Sequence, residues 1–327
     1  MDRRAFIGTL ASSLLAAPIA AAAQQRRRVP LLGVLNAGFG PRSRSIEAAR
    51  RGLRGLGYGD SQIELDVRFA GGKSGGFHSL ATALVRRQVD VLLAIGPAAV
   101  TAARDTTSTI PIVAVDLESD PIQAGFARSL AHPGGNITGL FLDQPGLAGK
   151  WLELLKEAAP DVRRVAILRD PTTGPWQLAA MKMAAQRFGV ELQILEVRAS
   201  GELDAALGAG ARGGSQAIIQ LSSPLFDLDV NGRRVADFAV GHHLSTISLF
   251  TGFAQLGGLM AYGPNVVEYY EQRLALYIDR ILRGAKPADL PIEQPEKFEL
   301  VINLKTAKAL GLTIPPSLLQ RADQVIE

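Results

Sequence analysis

Cysteine is missing altogether from the 327 residues. Its absence excludes disulfides, thiolate metal sites and cysteine nucleophiles, and with them the lipid-bearing cysteine of a bacterial lipoprotein anchor. Histidine is scarce, with four in all: His78, His132 and the pair His242 and His243. None falls in an H-E-x-x-H zinc pattern, and neighbours in a helix point to different faces, so the pair does not share a metal. Gly72-Lys73-Ser74 looks like the end of a phosphate-binding loop, but Val67 stands where that motif needs glycine. No Gly-x-Gly-x-x-Gly follows the first predicted strand. Ser222 and Ser223 offer hydroxyls without a visible base. No metal, no cofactor and no enzymatic activity are expected. Charge is also thin: the net +4 is scattered, apart from Arg26-Arg27-Arg28. That triplet is a solvated run rather than a nucleic-acid patch.

Long apolar runs are limited to the start. Arg3 and Arg4 precede an apolar stretch from Ala5 to Ala22, closed by the small residues Ala21, Ala22 and Ala23. A charged start, a short apolar middle and an Ala-x-Ala end make a secretory signal peptide over 1–23, cleaved near Ala23. The run falls short of the ~20 residues of a comfortable membrane span, and Gly8, Ser12, Ser13 and Pro18 dilute it. Asp2-Arg3-Arg4-Ala5-Phe6-Ile7 resembles a twin-arginine signal, with general secretion as the other route. The expected location is a periplasm.

Roughly three hundred residues remain, enough for two domains. Val29 to Leu35 is a nearly continuous apolar run, as in a strand buried on both faces. A helix follows with Ile46, Ala49, Leu53 and Leu56 on one face, stopped by Gly57. Residues 63–69 alternate apolar and polar, as a half-buried strand does. Helix and strand then repeat through 78–87, 89–94, 98–106 and 112–115. After the glycine-rich His132-Pro133-Gly134-Gly135-Asn136 a second set begins, with helices near 147–158, 177–188 and 232–243 and strands near 165–168, 191–197, 217–221 and 246–249. The fold class is α/β: two doubly wound parallel-sheet lobes joined by a hinge. The expected division is a first lobe at 29–137, a second at 138–256, and 257–327 crossing back to the first lobe with a C-terminal tail.

Open parallel sheets bind ligands beyond the carboxyl ends of their strands. The turns at those ends hold Asn36 and Phe39, then Gly96, Pro97 and Ala98, then Asp116 in the first lobe. In the second they hold Asp170, Thr172 and Trp176, then Ser222 and Ser223, then Phe253. These are small or hydrogen-bonding groups suited to holding a ligand rather than to breaking bonds. A helix N-terminus takes a carboxylate without a lysine, and Asp116 or Asp170 could meet an ammonium. Phe39, Trp176 and Phe253 are candidates to sandwich a ring, with core burial the alternative for Phe253.

Several blocks carry a family resemblance. They are Ile110-Pro-Ile-Val113, Ser119-Asp-Pro121, 129–139, Lys150-Trp-Leu-Glu-Leu-Leu-Lys156 and Gly257-Gly-Leu-Met-Ala-Tyr-Gly263. The tail adds 279–291 and 297–312. Together they resemble a family of ABC-transporter substrate-binding proteins over essentially the whole mature chain. The resemblance implies a type I periplasmic-binding-protein-like fold. It also implies a small-molecule ligand, best guessed as an aromatic or other amino acid, and an ABC permease in the inner membrane with a separate ATPase. The alternative role is an exported sensing module that presents its closed form to a receptor. The stretch 245–253 departs from the family pattern, in which an aromatic-Pro-Phe-Arg run is frequent: Thr251 stands at the arginine's place. If that arginine grips a carboxylate in the family, this protein must use backbone donors or bind something else.

Overall fold

The computed structural model describes residues 28–36, 44–70, 76–142, 144–226 and 229–327. The leader, Arg26 and Arg27, the turn with Phe39 and the Gly72-Lys73-Ser74 loop lie outside the described residues.

Strands β1 (Leu31–Asn36), β2 (Glu64–Phe69), β3 (Val91–Ile95), β4 (Ile112–Asp116) and β5 (Ile137–Phe141) form one sheet. Their order is β2-β1-β3-β4-β5, and every pairing is parallel. All but the edge strand β2 are buried along their whole length, because helices cover both faces of the sheet. The connecting helices are Arg44–Gly55, Phe77–Arg86 and Pro97–Thr106.

A second sheet repeats the pattern with β6 (Arg164–Arg169), β7 (Glu191–Glu196), β8 (Ala217–Gln220), β9 (Ser245–Ser248) and β10 (Met260–Gly263). Its order runs β7-β6-β8-β9-β10, the same as in the first sheet, and then continues into β11 (Glu299–Asn303) and β12 (Gln324–Ile326). Only the β10–β11 pair is antiparallel. The two halves therefore share one winding although no repeat is visible in their sequences.

The chain passes between the sheets after β5, again after β10, and finally between the Pro287–Asp289 turn and β11. After β10 it enters a return helix built from Val266–Tyr269, a π-helical turn at Tyr270–Leu274 and Ala275–Leu282, which packs on the Arg44–Gly55 helix of the first lobe. The last crossing is stitched to β5: the Glu293 amide donates to Gly139 O at 2.8 Å, and the Phe141 amide donates to Glu293 O at 3.0 Å. Trp151, 1% exposed on the Gln144–Ala158 helix, donates its Nε1 to Tyr262 O at 2.8 Å. One apolar cluster runs through these crossings, from Leu32 and Leu140 through Trp151 to Ile167 and Leu300. On this side the lobes are a single core, so relative motion can only open the opposite side.

The alternation of strands and helices is as the sequence predicts, but three details differ. Residues 137–141 complete the first sheet instead of starting the second, so a boundary at residue 137 cuts through β5's place in that sheet. Residues 260–263 stay with the second sheet, and the crossing back comes just after them. Leu56 and Phe69, both expected on buried faces, are 37% and 41% exposed. Leu56 lies past the last helical turn. Phe69 ends an edge strand that is covered only along its middle, where Asp66 is buried under Arg68 and Arg87.

Candidate ligand-binding cleft

In each sheet the winding reverses between the first and third strands, at β1/β3 and at β6/β8, and ligands of such sheets lie beyond the carboxyl ends at that point. The first reversal is marked by Asn36 and by Gly96-Pro97-Ala98. The second is marked by Asp170 and by Ser222-Ser223. The two meet face to face. The Pro97–Thr106 helix abuts the Pro171–Thr173 turn, and Ser222 Oγ donates a hydrogen bond to Glu118 Oε1 across the lobes.

On the first lobe, Asn36 ends β1 and is 5% exposed. Gly96 takes φ 89°, which places it in the left-handed half of backbone space where a side chain is strained. Its amide donates to Val115 O at 2.8 Å, and Pro97 opens the helix without any side-chain cap. The first turn of that helix therefore presents backbone N–H groups and partial positive charge to the cleft from Ala98 onward. Asp116 ends β4 and is fully buried. Its Oδ1 accepts from the amides of Glu118 and Ser119, both at 3.0 Å, whereas its Oδ2 has no hydrogen-bond donor. Burial pushes its pKa up to about 6, partly offset by those amides and by the side chains of Ser119 and Glu118. Glu118, 2% exposed, stands two residues on.

On the second lobe, Asp170 is committed. Its Oδ1 accepts from Thr172 N at 2.9 Å and Thr172 Oγ1 at 2.7 Å, and its Oδ2 accepts from Ser223 Oγ at 2.7 Å. It caps a turn, and three hydrogen bonds occupy most of its acceptor capacity. Ser223 Oγ also accepts from the Leu225 amide at 3.0 Å, so Ser223 shapes the loop. Ser222 and Ser223 are both fully buried. Trp176 starts the Trp176–Phe188 helix three residues beyond the turn that meets the first lobe, and is 43% exposed.

Phe253 has a different place. It is 2% exposed inside the second lobe's own apolar cluster, with Leu168, Phe226 and Val235. Its ring lies so close to Gly258 that a Cβ there would come within 2.1 Å of Cε1. It packs the core of that lobe, the alternative given for it from the sequence. Thr251, at the expected arginine's position, is half-buried before the short Gly252–Gln255 helix. Of the other candidates, the structure gathers Gly96, Pro97, Ala98, Asp116, Ser222 and the turn of Asp170 and Thr172.

Two residues missed from the sequence complete the arrangement. Glu118 is the first lobe's half of the bridge. Gln177, 2% exposed, grips the backbone of Ser222: its Oε1 accepts from Ser222 N at 2.7 Å, and its Nε2 donates to Ser222 O at 2.8 Å. A carboxylate two residues past a strand was a findable signal. A glutamine in a helix's first turn was not.

Among the described residues no group of three or more histidine, aspartate or glutamate side chains is placed to hold a metal. The histidines lie elsewhere: His78 sits 3.7 Å from Asp105, and His242 stacks on Phe238. Ser222 thus has a carboxylate partner, Glu118, and no histidine beside it. No described helix is long and apolar enough to cross a membrane.

A model of the ABC transporter substrate binding protein family matches residues 42–326, so the chain belongs to that family. It is similar to the tyrosine-binding protein of Clostridioides difficile (strain R20291), with 26% identity over 280 residues, 82% of this chain and 78% of that one. Two solved structures, each 25% identical, cover 91% of this chain and 100% of their own. One is a conserved domain protein from Vibrio cholerae, with a TM-score of 0.81. The other is an ABC domain in complex with L-Trp from Streptococcus pneumonia, with a TM-score of 0.80.

Proposed function

We propose that this member of the ABC-transporter substrate-binding family is exported to the periplasm and captures an aromatic amino acid between its lobes for a membrane permease. The observation that carries the ligand class is Asp116, a buried carboxyl with one donorless oxygen at the first lobe's switch point. An ammonium seated there would supply both the missing donor and the missing counter-charge. The amino acid's carboxylate would then lie at the uncapped N-terminus of the Pro97–Thr106 helix, held by backbone donors. Names support the same class: one similar protein is a tyrosine-binding protein, and another was solved with L-Trp. Export is supported by the signal-like segment 1–23. Docking on one lobe and closure by the other follow from the shared core at the crossings.

The test is a thermal-shift panel on refolded, ligand-stripped protein, with the twenty amino acids, purines and small sugars. A ligand at about 100 times its dissociation constant adds about 2.7 kcal/mol of apparent stability, a shift of several degrees. Shifts confined to L-tryptophan, L-tyrosine or L-phenylalanine are expected. A hit only among sugars or purines would overturn the ligand class. Trp176, exposed at the cleft edge, is expected to cover the ligand's ring. Trp176→Ala should then raise the dissociation constant several-fold while leaving the ligand-free melting temperature almost unchanged, since the side chain is 43% exposed. Equal affinity in wild type and variant would remove Trp176 from the site.

A further inference from the structure

We infer that Ser222 and Glu118 form a latch that holds the lobes together, and that Gln177 is the residue that aims it. The inference rests on the reading that the lobes close over a ligand, and adds to it a contribution to closure made by the protein itself.

The latch joins residues far apart in the chain, one past the end of β8 and one past the end of β4. Both are buried where the lobes meet, at 0% and 2% exposure. A hydroxyl donating to a carboxyl in a water-excluded contact is stronger than the same pair in an open, wet cleft. The bond therefore favours the closed arrangement over any in which the lobes stand apart.

The aim of Ser222 is not set by the sheet. The ladder of β8 ends at Gln220, and Leu221 makes one more bond, its amide donating to Leu168 O at 3.0 Å. Beyond it the Gln177 side chain takes over as a substitute strand. It pairs with both the N–H and the C=O of Ser222, and its Nε2 also lies 3.3 Å from Thr173 Oγ1. Thr173 Oγ1 in turn donates to Asp170 O at 2.8 Å. One buried amide thus ties the end of β8 to the turn that abuts the first lobe. It fixes the backbone of Ser222 and so the direction of Oγ. Gln177 is a positioning residue: it acts through Ser222.

The experiment measures lobe separation and release rate together. Because the chain has no cysteine, Ile122→Cys and Met183→Cys give two unique labelling points, one per lobe, at positions 49% and 73% exposed. Spin-label distances in ligand-free protein report closure. Stopped-flow release of L-tryptophan reports the closed state's lifetime. Ser222→Ala should shift the ligand-free distances to longer values and speed release by roughly tenfold or more, with the association rate little changed. Gln177→Ala should do the same and also lower stability, by leaving the Ser222 backbone groups unpaired. Adding it to Ser222→Ala should lower stability again without further change in release. That non-additivity separates positioning from a general structural role.

Distances and release rates unchanged in Ser222→Ala would overturn the latch. Release accelerated again in the double variant would overturn the role given to Gln177. If none of L-tryptophan, L-tyrosine and L-phenylalanine binds the wild type, the aromatic amino acid reading fails. The ligand-free distances then decide the latch alone: longer in Ser222→Ala supports it, and unchanged refutes it.

Discussion

Asp116→Asn is expected to raise the melting temperature at pH 7.5 by several degrees while weakening ligand binding by roughly two to three orders of magnitude. The two effects have one origin. Folded, the carboxyl keeps its proton up to about pH 6, and unfolded it releases it near 3.8. Between those values the folded state binds more protons, so this group's contribution to stability falls as pH rises through the window. About two pKa units correspond to on the order of 3 kcal/mol of destabilisation by neutral pH. Asparagine removes that charge while keeping an oxygen for the amides of Glu118 and Ser119, and its amide group can supply a donor at the Oδ2 position. The variant should match wild type near pH 4 and pull ahead as pH rises to 7. Paired thermal melts at pH 4, 6 and 8 check this. A difference that does not grow with pH would mean that Asp116 is not held protonated by burial. The cost is functional: an ammonium seated at Asp116 would lose its counter-charge.

Gly52→Ala and Gly55→Ala should move stability in opposite directions although both lie in the Arg44–Gly55 helix. Helix propensity alone favours alanine at each by about 1 kcal/mol. At Gly55 a Cβ would have nothing within 4 Å, so a small gain is expected. At Gly52 the Cβ would stand 1.9 Å from Glu271 O and 2.8 Å from the Ala275 Cβ. A backbone carbonyl cannot rotate away, so the return helix must shift. Overpacking of this kind costs about 1–3 kcal/mol, and more where the backbone is rigid. The Arg51–Glu271 ion pair beside it, at 2.9 Å, would be stretched by the same movement. Urea titration of both variants checks the signs. A Gly52→Ala protein as stable as wild type would show that the two helices have room to separate.

The parts of the fold legible in the sequence were those set by local pattern. Apolar runs such as 29–35 and 112–115 announce strands buried on both faces, and the helix spacing from Ile46 to Leu53 is visible without any partner. Lobe membership was not legible, because it depends on pairing between distant segments. The His132–Asn136 loop looks like a divide, yet β5 pairs back to β4. The strand at 260–263 looks like an exit, yet it lies beside β9. At the cleft, Gly96, Asp116 and Ser222 stand at strand ends, where ligands of this winding lie, which is why the sequence reading singles them out. For Phe253 the sequence left core and ligand contact open, because it shows an aromatic near a strand end but not the side to which its ring turns. Gln177 escaped notice because an amide that pairs with backbone leaves no motif.

The return helix also sets the order of assembly. A growing chain completes the five strands of the first sheet early, but the helix that covers Arg44–Gly55 is made only after β10 has emerged. Until then Gly52 and the apolar face around Leu53 have no lid. The second sheet in turn waits for β11 and β12 at the end of the chain. Neither lobe can be finished before the other is nearly complete, so a fragment stopped at the first crossing should be a sticky intermediate rather than a stable half-protein.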